Sequence, residues 1–218
     1  RLKPKTIAGY EEIIGLLTHH LDGYGHQWLS RKETSLFEKY YNAEGKEQRE
    51  FCQIFGPDKI VDNLGEFLGY FMIRKVMAGG ETLRLSGTVT KKLCKWLAQM
   101  GYISEEEAIE GAEDGADAAR DLPIAERAVT ILYAATREAF LNHDEVSDED
   151  YLDFDHFTIT KVEAGKLWLE VGGAESAGPV IVPKEATELL REDWNISCSL
   201  ARVKGKWRMV EVGNVYPL

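Results

Sequence analysis

PDKIVDNLGEFLGYFMIRKVMAGGETLRLSGTVTKKLCKWLAQMGYI, residues 57–103, carries the clearest helical pattern in the chain and its only net positive segment. Gly56-Pro57-Asp58 reads as a helix start. Proline suits the first helical position because its missing N–H had no partner there, and an aspartate suits the positive end of the helix dipole. Ile60, Leu64, Phe67, Leu68 and Phe71 then share one face at helical spacing. Gly65 and Gly69 sit four apart on the other side. Each glycine costs about 1 kcal/mol of helix propensity relative to alanine, so the pair predicts the close approach of another backbone. Ala78-Gly79-Gly80 ends this helix. A second is expected from Ser86, acting as its cap. Val89, Leu93, Trp96, Leu97 and Met100 form its apolar stripe; Lys91, Lys92 and Lys95 lie on the opposing side, with Arg84 just before them. Gly101 is a natural stop, with Tyr102 and Ile103 folding back onto the last turn.

Upstream, Ile7, Tyr10, Ile14 and Leu17 mark a helix over 6–20, broken by Leu21-Asp22-Gly23-Tyr24-Gly25. Ser30-x-x-Glu33 is a capping-box pattern opening a helix to Tyr41. A short helix over 46–55 carries Phe51, Ile54 and Phe55. Downstream, Ser104-Glu105-Glu106-Glu107 is a second capping box with three carboxylates on the positive helix end. The helix it opens is small on one face (Ala108, Gly111, Ala112, Gly115, Ala116, Ala119) and must pack very closely or be marginal. Asp121-Leu122-Pro123 is expected to end it and start another, to Asn142. That last helix is apolar on two sides, which suits a central place in a bundle or an oligomer interface through residues 123–142.

From His156 the apolar period changes from helical to alternating. Phe157 and Ile159, then Leu167, Leu169 and Val171, alternate with polar residues or tryptophan, separated by the turn Ala164-Gly165. A Gly-rich loop leads to a strand at Val180-Ile181-Val182. Pro183 opens a helical turn to Leu190. Ile196, Cys198 and Leu200 form a strand face; Lys204-Gly205 turns the chain into a last strand through Trp207, Met209 and Glu211. Five short strands with a helical turn between the third and fourth predict a small antiparallel barrel, OB-like or SH3-like. The fold class is therefore α+β. The expected parts are an N-terminal helical segment 1–56, a helical bundle 57–142, an acidic linker 143–153 and a five-stranded barrel 154–218.

The net charge of −11 is uneven. Residues 1–56 hold 8 basic and 8 acidic groups, 57–103 hold 7 and 4, 104–156 hold 3 and 17, and 157–218 hold 8 and 8. An acidic whole argues against a general nucleic-acid binder but leaves room for a local basic face. In the C-terminal part the residues for such a face are Trp168, Lys204, Lys206, Trp207 and Arg208, an aromatic and basic set of the kind that binds single strands.

A helix with the core Phe67-Leu68-x-Tyr70, a short turn, then Thr88-Val89-Thr90 leading to Leu93-x-x-Trp96-Leu97-x-x-x-Gly101-Tyr102-Ile103 resembles the SAM-like core-binding domain of tyrosine recombinases. The resemblance covers 57–103, extending to 142 if the next two helices are counted. In that family this helical domain clasps DNA, which implies DNA contact through Arg84, Lys91, Lys92 and Lys95. The family's catalytic domain is missing: no His-x-x-Arg appears, and 115 residues follow Ile103.

Other chemistries find no support. There is no Gly-x-Ser-x-Gly, P-loop, dinucleotide fingerprint or His-Glu-x-x-His. His19 and His20 point about 100° apart on a helix, so with His26 they do not form a metal site. The carboxylates around 143–155 lack the spacing of a calcium loop. Cys52, Cys94 and Cys198 are distant and odd in number, which fits buried free thiols in a reducing compartment. No apolar run is long enough to cross a membrane, and a cytoplasmic location is expected. The reading is of a non-catalytic binding protein without cofactor or metal, acting through the basic helix on DNA or an acidic protein surface. The alternative is a protein–protein adaptor in which the basic and acidic helices pair internally.

Overall fold

The computed structural model describes residues 3–138, 146–171 and 175–217. The fold is α+β, and the chain divides into two compact units, Arg1–Arg120 and Asp121–Leu218. The division falls inside a helix rather than at an acidic linker: α7 runs unbroken over Glu105–Glu138 with Pro123 inside it. Asp121-Leu122-Pro123 is therefore not the expected stop and restart. Proline removes one backbone bond to the preceding turn, and the boundary between units lies in that turn. Residues 139–145, which include the first three of the expected linker 143–153, lie outside the described residues; the rest of that stretch holds a 3-10 turn (Asp148–Asp150) and the start of the first strand at Tyr151.

The N-terminal unit is helical. α1 (Pro4–Tyr24) starts on a proline and runs through Asp22 and Gly23, longer than the periodic stretch alone implies. α2 (Arg31–Tyr41) begins at the expected capping box, with the Ser30 N–H donating to Glu33 Oε2 at 2.9 Å. The next expected helix is shorter than 46–55, reduced to a 3-10 turn at Gly45–Glu47 and α3 (Phe51–Ile54).

The run after Pro57 is a composite of short turns. Two 3-10 turns (Pro57–Lys59, Val61–Asn63) lead into α4 (Leu64–Glu66), a π-turn (Phe67–Phe71) and α5 (Met72–Arg74). The wider π-turn lets Phe67, Leu68 and Phe71 all enter the core with Leu64 and Met72. Gly65 is exposed with open space at its Cβ position, so no backbone packs on it.

α6 (Gly80–Gln99) begins two turns before the expected cap. Ser86 is interior and buried, its hydroxyl donating to the Leu83 carbonyl at 2.7 Å. α6 meets the small face of α7 backbone to backbone. A Cβ on Gly115 would lie 2.7 Å from the Gly87 carbonyl oxygen, and one on Gly111 would lie 2.7 Å from Cys94 Sγ.

The C-terminal unit holds a five-stranded sheet: β1 (Tyr151–Glu163), β2 (Lys166–Val171), β3 (Glu175–Ile181), β4 (Asn195–Val203) and β5 (Lys206–Tyr216). β1 starts in the acidic run, earlier than the alternation at His156 implies, and β3 starts in the expected Gly-rich loop. The order is β1-β2-β3-β5-β4, and β1 also pairs with β4, so the sheet closes on itself. It is not wholly antiparallel: β3 and β5 run parallel, Val180 beside Trp207. A chain that passes through α8 (Lys184–Thr187) and β4 between β3 and β5 can place them side by side in the same direction.

The interior takes the expected alternation, with Phe157, Ile159, Leu167, Leu169, Val180, Ile196, Cys198 and Leu200 buried. Ala186 and Leu190, in and after α8, join them, as do Ala125, Ala128 and Leu132 from α7. The second half of α7 is thus a core element of this unit. Burying each large aliphatic side chain contributes about 1.5–3 kcal/mol.

Candidate nucleic-acid interface

Two tight turns position the side chains of interest. Ala164-Gly165 joins β1 to β2, with Gly165 at φ 77°, and pairs Glu163 with Lys166, Val162 with Leu167 and Lys161 with Trp168. Lys204-Gly205 joins β4 to β5, with φ of 51° and 75°, the left-handed pair that a two-residue hairpin demands. It pairs Val203 with Lys206, Arg202 with Trp207 and Ala201 with Arg208.

Trp168 lies between buried Leu167 and Leu169 and is half-buried on the opposite, outer face of the sheet. Its indole lies against Gly178 of β3, where a Cβ would come within 2.5 Å of Cδ1. The missing side chain is what lets the ring come this close to the neighbouring strand. The Lys161 ammonium sits over the indole, 4.6 Å from its centroid. Lys161 also pairs with Glu163 at 2.7 Å, and Lys166 stands 4.0 Å from the same carboxylate. Lys161 holds the Glu163 carboxyl below its ordinary range, first by hydrogen bonding and then by charge. Glu170, exposed two residues after Trp168, is an acidic neighbour in sequence.

Two residues after Gly178, Val180 pairs in parallel with Trp207. Lys206 directly precedes Trp207 and Arg208 pairs with Ile181, so the base of the basic hairpin lies beside the strand on which Trp168 rests. Lys204, Lys206 and Arg208 are all exposed.

Trp207 does not join this face. It shares the parity of buried Met209, packs against the sheet interior, and carries the Arg202 guanidinium 4.7 Å over its ring. Arg202 also reaches Asp150 at 3.7 Å. The two tryptophans thus face opposite sides and form no continuous platform. Arg208 borders a cavity of about 320 Å³ with Leu132, Ala135, Thr136 and Met209.

The α6 cations occupy a different setting. Lys91 and Lys95 line one side of a groove of about 510 Å³ whose other side holds Glu105 and Glu113 of α7. The Lys92 ammonium meets the Tyr10 hydroxyl and lies 5.1 Å from that ring's centroid. Arg84 is exposed near the start of α6.

The histidines are dispersed in role. His19 is exposed, and His26 stacks on Phe37 at 5.4 Å. His20 is buried among Tyr24, Phe67 and Phe71. Among the described residues, no group of three or more His, Cys, Asp or Glu is arranged to hold a metal ion, and no helix is long and apolar enough to cross a membrane. Cys94 and Cys198 are buried as expected, but Cys52 is exposed.

No protein-family model matches the chain, and no curated protein matches it. Sequence reasoning missed Lys161, Gly178 and Arg202. For Lys161 and Arg202 the signal was in the two hairpins: a two-residue turn fixes the cross-strand partners, so Ala164-Gly165 pairs Lys161 with Trp168 and Lys204-Gly205 pairs Arg202 with Trp207, whereas no local signal marked Gly178.

Proposed function

We propose that this protein is a binding protein whose C-terminal unit is an OB-like barrel that takes single-stranded nucleic acid on the outer face of β2 and β3. The OB-like reading is supported by the closed order β1-β2-β3-β5-β4, the helical turn between β3 and β4, and the use of that face and the β4–β5 hairpin for oligonucleotides in such barrels. The observation that carries the ligand class is the close seat of Trp168 on Gly178 of the strand that pairs with the Lys206–Arg208 arm of the basic hairpin.

A base stacks on the outward indole, and the Lys161 ammonium swings from the ring to the flanking phosphate. Lys204, Lys206 and Arg208 track the backbone. Such a site is sequence-tolerant, because every base offers a π-face. The hairpin concentrates four cations within residues 202–208 of a unit that otherwise carries an acidic excess. Binding therefore rests on local rather than overall charge.

Titration of a fluorescent single strand and of the matching duplex, followed by anisotropy, tests this reading. Preference for the single strand, lost in Lys204→Glu/Lys206→Glu, is expected. Equal binding of both, undiminished by the substitutions, overturns it.

The second reading, an adaptor that binds protein, is favoured by the α6–α7 groove. There Lys91 and Lys95 already face carboxylates of their own chain.

A further inference from the structure

We infer that the N-terminal unit associates with a second copy of itself through the α6–α7 groove, by a two-fold arrangement that sets α6 of each copy on α7 of the other. Three observations carry this. First, the floor is apolar and made of small residues, Ala98, Ala108, Ala112 and Ala116, so a partner helix can approach closely. Second, Ile109, which lines the groove, is a large apolar side chain left 60 % exposed.

The third observation identifies the occupant. One wall is basic (Lys91, Lys95) and the other acidic (Glu105, Glu113). A two-fold axis running along the groove places the basic wall of one copy over the acidic wall of the other, on both sides at once. The surface is thus complementary to itself, as an isologous contact requires. The same operation sets the exposed Ile109 of α7 against α6 of the second copy. The small face of α7 then serves twice: Gly111 and Gly115 admit α6 of their own chain, and Ala108, Ala112 and Ala116 admit the other. Long-range charge opposes this contact little, since Arg1–Arg120 holds 16 basic and 19 acidic groups.

The test is sedimentation velocity of the full chain across the micromolar range. It uses the wild type, Lys91→Glu/Lys95→Glu with two acidic walls, and Glu105→Lys/Glu113→Lys with two basic walls. The wild type is expected to rise with concentration from the 24.6 kDa monomer to twice that mass. Each variant alone is expected to stay monomeric, and an equimolar mixture of the two to regain the dimer. Recovery in the mixture also shows that both variants are folded. A wild type that is monomeric throughout, variants that still dimerise, or a mixture that stays monomeric while circular dichroism reports folded chains would each overturn the proposal.

Discussion

Gly87 and Gly115 stand backbone to backbone, so that a Cβ on Gly115 would lie 2.7 Å from the Gly87 carbonyl oxygen and 2.7 Å from the Lys91 nitrogen. Both obstacles are main chain and cannot rotate away. Gly115→Ala gains about 1 kcal/mol of helix propensity, yet it forces α6 and α7 apart along their contact. Overpacking of this kind costs about 1–3 kcal/mol, and more where backbone must move. A net loss of about 2 kcal/mol is expected in urea unfolding. Gly65→Ala, whose Cβ meets open space, should stabilise by a few tenths of a kcal/mol to about 1 kcal/mol. If both changes had the same sign, the close crossing would not be what holds the N-terminal unit.

His20 makes that unit sensitive to acid. Its imidazole is buried with both ring nitrogens lacking a hydrogen-bond partner, near the likewise unpartnered Asn63 Oδ1. Burial pushes its pKa down to about 4, and the Asn63 backbone beside it offsets only part of that shift. Between about pH 6.5 and 4 the unfolded chain therefore binds the proton that the folded chain refuses. Stability falls as pH falls through this window, by up to about 1.4 kcal/mol per unit. His20→Phe removes the titration and two orphaned nitrogens. Its stability should change little at pH 7 and decline less than the wild type toward pH 4.5. Glu33, held down to about 2 by hydrogen bonds from Lys59 and Ser30, acts in a lower window, losing its contribution as pH falls from 4.5 toward 2. Parallel stability curves for wild type and His20→Phe above pH 4.5 would contradict this account.

The thiols are predicted to be inert although one is exposed. Partial burial of the sulfur and the neighbouring Asp22 carboxylate push Cys52 up to about 12; Asp22 Oδ1 also accepts the Cys52 N–H at 2.9 Å. Burial raises Cys94 to about 11 and raises Cys198 as well. Because the thiolate is the reactive form, native labelling by iodoacetamide at pH 8 should be at least about 100-fold slower than for a free thiol. Asp22→Asn should accelerate Cys52 alone. Rapid labelling of the native chain, or no response to Asp22→Asn, would contradict the assignment.

Much of the C-terminal fold was legible because alternation and two-residue turns are local signals. Leu167, Leu169, Ile196, Cys198 and Leu200 are buried where the alternation puts them. The parallel β3–β5 pair was not legible, since it joins segments separated by α8 and β4. Pro123 misled: tertiary burial of Leu122, Ala125 and Ala128 carries α7 across a residue that breaks isolated helices. Ser86 misled in the same way, as a good cap residue placed inside a longer helix. The small face of α7 was read correctly as demanding close contact, and that contact is Gly87. For the candidate interface, the sequence identified Trp168 and the hairpin cations. It also grouped Trp207 with them, because composition does not reveal parity; only the pairing of Arg202 with Trp207 and the burial of Met209 place that ring on the inner side.

The salt dependence of single-strand binding tests the central proposal most directly. For single strands, the slope of log K against log salt is about −0.7 per phosphate neutralised. The wild type is expected to bind with a clear negative slope. Lys204→Ala/Lys206→Ala/Arg208→Ala should bind more weakly, with a slope shallower by about 2. Trp168→Ala should lose about 1–3 kcal/mol of stacking while keeping the wild-type slope. That separation of slope from affinity is the predicted result. Absence of binding at low salt, or a slope and affinity unmoved by either variant, would contradict a nucleic-acid site on this sheet.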